Sequence, residues 1–307
     1  MTVLRILLLG KGGQVGAALQ PQLEMLGEVS AHNRATCDLG NPAQLRDTVR
    51  VVRPDLIVNA AAYTAVDKAE ADTDLCHRIN AEAPGILAEE ANALNAWLIH
   101  YSTDYVFDGT KTSAYVENDA PSPLNAYGRS KLAGDRAVVA ATPNHTILRV
   151  SWVYGLAGRN FPKSILKLAS ERDELRVVAD QFGAPTSADL IAEVTAQIVR
   201  RYLGISARTA ATPARGIFNV APSGRVSWHE FAVELIREAR SQNWPLKLSE
   251  KAVVPITTEQ YPTPAKRPRN SLLDTTKLRR LLGTDLPPWQ APLREFIAHL
   301  HNATKQV

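Results

Sequence analysis

The chain has 307 residues, enough for one large domain with a smaller lobe attached. Its 45% hydrophobic and 21% charged residues are the balance of an ordinary globular protein, and no apolar run approaches the ~20 residues of a membrane span, so neither disorder outside the last few residues nor a membrane partner is expected. The net charge of +4 comes from scattered basic residues, and the one cluster, Lys266-Arg267-Pro268-Arg269, is too short to track a polyphosphate, so no nucleic-acid partner is expected.

Cys37 and Cys76 lie far apart without ligand spacing, which speaks against a disulfide framework and a zinc site. The first apolar stretch, Val3 to Leu9, is too short for a signal-peptide core and runs into glycines. It reads as a strand, and a cytoplasmic protein is expected.

Leu4 to Leu9 (LRILLL) has the uninterrupted apolar character of a buried strand, closed by Gly10. A helix is expected from Gln14 to Leu26, then a strand over Val29 to His32. Asn41-Pro42 is a cap followed by a first-turn proline, opening a helix to about Val52. Asp55 to Asn59, Trp97 to Tyr101 and Thr146 to Val150 read as further strands, with helical patterns over Asp74 to Leu94 and Ala126 to Ala141. Strand, helix, strand at this spacing means crossover units, hence an α/β fold with a doubly wound parallel sheet of Rossmann type. Residues 1–150 are assigned mainly to this dinucleotide-binding domain. Residues 151–307, richer in proline, are assigned mainly to a smaller α/β substrate-binding lobe, with segments interleaved between the two. The tail from His301 to Val307 is expected to be disordered.

Gly10-Lys11-Gly12-Gly13-Gln14-Val15-Gly16 sits where the first strand hands over to the first helix. A dinucleotide pyrophosphate needs backbone N–H groups at a helix N-terminus and no side chains in the way. The G-x-G-x-x-G fingerprint would put glycine at position 15, where Val15 stands. G-x-x-G-x-x-G through Gly10, Gly13 and Gly16 fits instead. The second strand ends in His32-Asn33-Arg34 without a carboxylate, so Arg34 can pair with a 2′-phosphate and NADPH is favoured, NADH also being usable. A solvated loop role for Arg34 stays open. Asp38-Leu39 offers a carboxylate and an apolar contact to the adenine edge. Asn59-Ala60-Ala61-Ala62-Tyr63-Thr64 brings small side chains, and so close backbone, to the ribose and pyrophosphate.

Tyr127 and Lys131 stand four apart in a predicted helix and so share a face. Carbonyl reduction puts negative charge on oxygen, and a proton must arrive there. A phenol can supply it, and a neighbouring ammonium lowers the phenol's high pKa. Ser102-Thr103-Asp104-Tyr105 follows a buried strand, and the carboxyl end of a parallel strand is where open α/β sheets place ligands. Thr103 is the hydroxyl assigned to the carbonyl oxygen, with Ser102 either turned to the cofactor or fixing the loop.

GKGGQVG at Gly10, VNAAAYTAVDKAE at Val58, HYSTDYVFDG at His100, PLNAYGRSKLAGD at Pro123, LRVSWVYG at Leu148, DQFGAPT at Asp180 and YPTPAKRPRNSLLD at Tyr261 run in order along nearly the whole chain. Together they resemble the dTDP-4-dehydrorhamnose reductase family of extended short-chain dehydrogenases. The resemblance implies NAD(P)H-dependent reduction of the C4 keto group of dTDP-4-dehydro-β-L-rhamnose. By position it makes Tyr127 the proton donor, Lys131 its partner and Thr103 the carbonyl-binding hydroxyl. It also implies cofactor contacts at Gly13, Gln14, Val15, Asp38, Leu39, Ala62, Tyr63, Thr64 and Tyr101, and at Tyr127 and Lys131 themselves, and dTDP-sugar contacts at Thr103, Asp104, Val106 and Trp152. Arg267 is assigned to a phosphate from its charge alone.

Some members of that family dimerise around Mg²⁺ held by glutamates, where this chain has Ala18, Asp189 and His299. That is a poor oxygen set for Mg²⁺, so no metal is expected, and the chain is expected to be a monomer or a weak homodimer. Two other readings stay open: a nucleotide-sugar epimerase or dehydratase on the same scaffold, and a non-catalytic subunit like the one that regulates methionine adenosyltransferase.

Overall fold

The computed structural model describes residues 3–203 and 214–305. In chain order the strands are β1 (Arg5–Leu9), β2 (Glu28–His32), β3 (Leu56–Asn59), β4 (Trp97–Thr103), β5 (His145–Val150), β6 (Val153–Tyr154) and β7 (Leu175–Val178). There follow β8 (Phe182–Gly183), β9 (Thr186–Ser187), β10 (Gly216–Val220), β11 (Val226–Ser227) and β12 (Val253–Ile256). The helices are α1 (Gln14–Glu24), α2 (Pro42–Val52), α3 (Thr73–His77), α4 (Ala83–Ala93), α5 (Ala126–Ala141) and α6 (Phe161–Glu171). They continue with α7 (Ala188–Tyr202), α8 (Trp228–Ser241), α9 (Thr276–Leu282) and α10 (Gln290–Lys305). A π-helical turn, Arg78–Glu82, joins α3 to α4.

A six-stranded parallel sheet in the order β10-β5-β4-β3-β1-β2 forms the centre. Its inner strands carry apolar runs because both faces are covered: Ile6, Leu7, Leu8, Leu56, Ile57, Leu98 and Ile99 are all fully buried. One face packs on α1 and α7 through Leu19, Leu23, Ile191, Val194 and Ile198. The other packs on α2, α4 and α5 through Leu45, Val49, Leu87, Ala91 and Val138. Chain order reverses between β1 and β3, and a ligand crevice opens at such a switch point.

Local signals place the helices. Asn41 caps α2 by accepting from Gln44 N at 3.2 Å with Pro42 behind it, and Asn125 caps α5 by accepting from Gly128 N at 2.8 Å. Ser227 and Glu230 close a reciprocal capping box on α8.

The chain beyond residue 150 returns to the large sheet. β10 pairs with β5 at its edge, and α7 lies along α1. The smaller lobe has its own apolar centre, where Tyr154, Ile165, Phe231, Leu235, Trp289 and Phe296 join α6, α8 and α10. The expected disordered tail is corrected in part: α10 stays helical to Lys305, while Gln306 and Val307 lie outside the described residues. Among the described residues no helix is long and apolar enough to cross a membrane.

Candidate active site

The glycine turn divides into positions the fold needs and positions it does not. Gly10 has φ +90°, and a Cβ there would lie 2.7 Å from Ala61 N; a Cβ on Gly16 would lie 2.0 Å from the Gly10 carbonyl oxygen. A Cβ on Gly12 would meet nothing. The turn is anchored to β2, since the N–H groups of Gly10 and Lys11 both donate to the His32 carbonyl, at 2.8 and 3.0 Å. α1 then starts with Gly13 at its N-cap, no side-chain cap and no acidic residue in its first turn. Its N–H groups and positive dipole end are left for an anion, which is what a pyrophosphate requires.

Beside this turn lies a cavity of about 280 Å³ lined by Gly10, Asn33, Arg34, Asp38, Leu39, Ala61, Ala62, Tyr63 and Thr64, together with Cys37, Ala65 and Ile79. It gathers most of the residues expected at the adenosine end. Arg34 is 78% exposed and only loosely paired, 3.8 Å from Asp38, so its guanidinium is available to a second anion. Gln14 begins α1 and accepts from Asn160 Nδ2 at 2.9 Å, while Val15 packs partly into the core. The side chain of Asn80 holds Tyr63 at both backbone atoms, accepting from its N–H at 2.8 Å and donating to its carbonyl at 3.0 Å.

β4 carries the other end. The strand runs two residues past the expected Tyr101, so Ser102 and Thr103 belong to it. Thr103 faces the N-terminal half of α5, where its hydroxyl lies close enough to the Tyr127 phenol to favour the phenolate. Thr103 Oγ1 also donates to Asp104 at 3.1 Å and accepts the Tyr105 N–H at 3.2 Å. Tyr105 meets Tyr127 edge to face, with ring centroids 5.5 Å apart. Asp104 is almost wholly buried, and burial pushes its carboxyl up to about 6, opposed by the nearby Ser271 and Thr103 hydroxyls, while its Oδ2 has no hydrogen-bond partner.

One turn along α5, Lys131 is 2% exposed and donates to the Tyr101 carbonyl at 2.6 Å. Burial lowers its ammonium to about 8, against the charges of Asp135 and Cys76. The expected lowering of the phenol by Lys131 is not what the structure contains. Burial raises Tyr127 well above its ordinary value, and the opposing influence is the Thr103 hydroxyl. The lysine instead spends its hydrogen bond on the backbone of β4.

Several expected contacts turn elsewhere. The Ser102 hydroxyl donates to Asp135 at 2.7 Å, so the loop-fixing alternative describes it and the cofactor contact does not. The Tyr101 phenol meets Thr195 at 2.7 Å inside the core, leaving only its carbonyl toward α5. Val106 is fully buried, its side chain packed with Phe107, Tyr115 and Leu132. Arg267 forms a two-point pair with Asp67 at 2.9 and 2.7 Å, so its charge is already answered within the chain. Trp152 takes a left-handed backbone, φ +48°, and stacks on Trp228 at 3.5 Å over Gly183, a packing role with partial exposure left.

Sequence reasoning missed His100, Asn59 and Asp135 around Lys131. Only Asp135 had a readable signal, standing four residues past Lys131 and eight past Tyr127 on the same face of α5. At the positions aligned with Mg²⁺ ligands, Ala18 offers no donor atom, and among the described residues no three His, Cys, Asp or Glu side chains gather to hold a metal.

Comparison with known proteins agrees with this geometry. The sequence model of the family described as RmlD substrate binding domain matches residues 4–302. The chain is 44% identical to the dTDP-4-dehydrorhamnose reductase of Escherichia coli K12 over 305 residues, covering 98% of this chain and 99% of that one. Among solved structures it resembles the dTDP-4-dehydrorhamnose reductase of Bacillus anthracis in complex with NADP, with a TM-score of 0.87 and 32% identity over 97% of this chain and 100% of that one. The orthologue from Clostridium acetobutylicum matches with a TM-score of 0.86 and 36% identity over 96% of this chain and 99% of that one. The chain belongs to the RmlD family, in which these dTDP-4-dehydrorhamnose reductases are found.

Proposed function

We propose that this protein reduces the C4 keto group of dTDP-4-dehydro-β-L-rhamnose to the alcohol of dTDP-L-rhamnose, with NADPH as the preferred cofactor and NADH also usable. The substrate follows from the relatives, which share its length and carry that activity in their names. The observation that carries the chemistry is the closeness of the Thr103 hydroxyl, at the carboxyl edge of β4, to the Tyr127 phenol, one helical turn from Lys131.

The dinucleotide, when bound, supplies a hydride to the carbonyl carbon. Gly12, Gly13, Gln14 and the first turn of α1 receive its pyrophosphate, and the cavity between Arg34, Leu39 and Ala62 receives its adenosine, with Arg34 on the 2′-phosphate. Thr103 turns its one hydroxyl hydrogen from Asp104 to the carbonyl oxygen and draws the charge that builds there. Tyr127, whose raised pKa keeps the phenol protonated, gives that proton to the same oxygen. Lys131 holds the proton that restores the phenol. The buried Asp104 is placed to accept from a sugar hydroxyl. In this reading the partner is a small dTDP-sugar, the protein works in the cytoplasm as a monomer or weak homodimer, and no metal takes part.

The test is to mix the purified protein with NADPH and the dTDP-keto sugar, following absorbance loss and product identity. Stoichiometric oxidation of NADPH with formation of dTDP-L-rhamnose is expected. Cofactor that co-purifies at full occupancy and is not consumed would replace this reading with an epimerase or dehydratase.

A further inference from the structure

Lys131 Nζ is held between the Tyr101 carbonyl at 2.6 Å and His100 Nε2 at 3.3 Å. His100 is 1% exposed, and its other ring nitrogen, Nδ1, lies 3.2 Å from Asn59 Nδ2. The far end of Asn59 decides which way its amide points. Oδ1 accepts the Ala61 N–H at 3.3 Å, and turning the amide over would set an NH₂ against that N–H. Asn59 therefore donates to Nδ1. Burial holds the imidazole neutral, so its single proton sits on Nε2, facing Lys131. An ammonium has three hydrogens and nothing with which to accept an N–H; an amine has a lone pair that does.

We propose that His100 is a positioning residue for Lys131: fixed by Asn59 with its proton on Nε2, it orients the lysine and favours the amine, so that the ammonium gives up its proton readily when Tyr127 has spent its own. The inference rests on the reading of Tyr127 and Lys131 as the reacting pair. The other groups facing Lys131 do not duplicate this role. Asp135, on the next turn of α5, and Cys76 of α3 both favour the ammonium. Arg149 of β5 lies 3.6 Å from Asp135 and weakens its pull, and the Tyr127 phenol on the preceding turn is neutral.

Nitrogen-15 NMR of the cofactor-free protein, labelled in histidine and lysine, tests this without turnover. His100 is expected to carry its proton on Nε2 with Nδ1 bare. In His100→Gln an amide oxygen can accept from the ammonium, and the Lys131 midpoint is expected to rise by about one pH unit. The alkaline limb of kcat should move with it while KM for NADPH changes less than about twofold. Asn59→Leu, which releases Nδ1, should shift the midpoint in the same direction. A proton on Nδ1 in the unmodified protein would overturn the proposal, as would an unmoved lysine midpoint in a folded His100→Gln. A failure of the reductase reading looks different: the titrations would behave as described and no keto sugar would be reduced.

Discussion

At the carboxyl end of β1 the chain withholds side chains, whereas at the carboxyl end of β4 it crowds them together. Around Gly12 nothing of the protein fills the space where a Cβ would stand, and the first turn of α1 has no side-chain cap. Around Thr103 that hydroxyl is bonded to Asp104, the ammonium of Lys131 to the Tyr101 carbonyl, and the Tyr127 phenol lies buried beside them. The first end gains its affinity from exposed backbone and is damaged by anything added. The second gains its reactivity from groups moved off their ordinary pKa values by burial, and is damaged by anything removed. It also bears a stability cost, because a buried carboxyl and a buried ammonium lose hydration that their partners only partly replace.

The sharpest way to break this contrast is Tyr127→Phe. Turnover should fall about 10²- to 10⁴-fold while NADPH affinity stays nearly unchanged, since the proton donor is lost and the aromatic ring is kept. A variant that still reduces the keto sugar at the original rate would remove the phenol from the chemistry.

The glycines come next. Gly16→Ala should destabilise the fold by on the order of 3 kcal/mol in denaturant titration, because its methyl would overlap the backbone of Gly10. Gly12→Ala should leave stability within about 0.5 kcal/mol and weaken NADPH instead. Equal stability losses in the two would mean that Gly12 is there for the fold.

Asp104 sharpens the other side. Its folded pKa of about 6 lies above the ordinary 3.8, so the folded state holds this proton more tightly than the unfolded state. Its contribution to stability therefore falls as pH rises from about 4 to about 6 and stays low above that. Asp104→Asn should flatten that slope and raise stability at pH 8 by on the order of 2 kcal/mol, at the expense of turnover. An unchanged pH–stability curve would show that the carboxyl is not desolvated as its burial implies.

The smallest effect is expected at Arg34→Ala, which should weaken NADPH about tenfold and NADH hardly at all, measured by titrating each cofactor. Equal losses would return Arg34 to the solvent.

Much of this was legible in the residues, and the reason is distance along the chain. The apolar LRILLL run, the Asn41-Pro42 helix start and the four-residue step from Tyr127 to Lys131 each depend on spacing within one element, which backbone geometry converts directly into position. The Gly10-to-Gly16 turn was readable for the same reason, although which glycines serve the fold and which leave room for a ligand was not. Arg267 shows where such reasoning stops: its charge was plain, but its partner Asp67 lies 200 residues away. Ser102 was recognised as a strand-end hydroxyl, yet its hydroxyl answers to Asp135 on another element.

The sequence by itself determined the order of strands and helices, the turn that opens the first crossover, and which functional groups lie on one face of α5. Tertiary structure alone decided which of those groups meet, which charges are cancelled within the chain, and that Lys131 is wedged between a carbonyl and an imidazole. Spacing along a helix or strand follows from local dihedral angles, whereas burial and charge pairing follow from how distant elements pack.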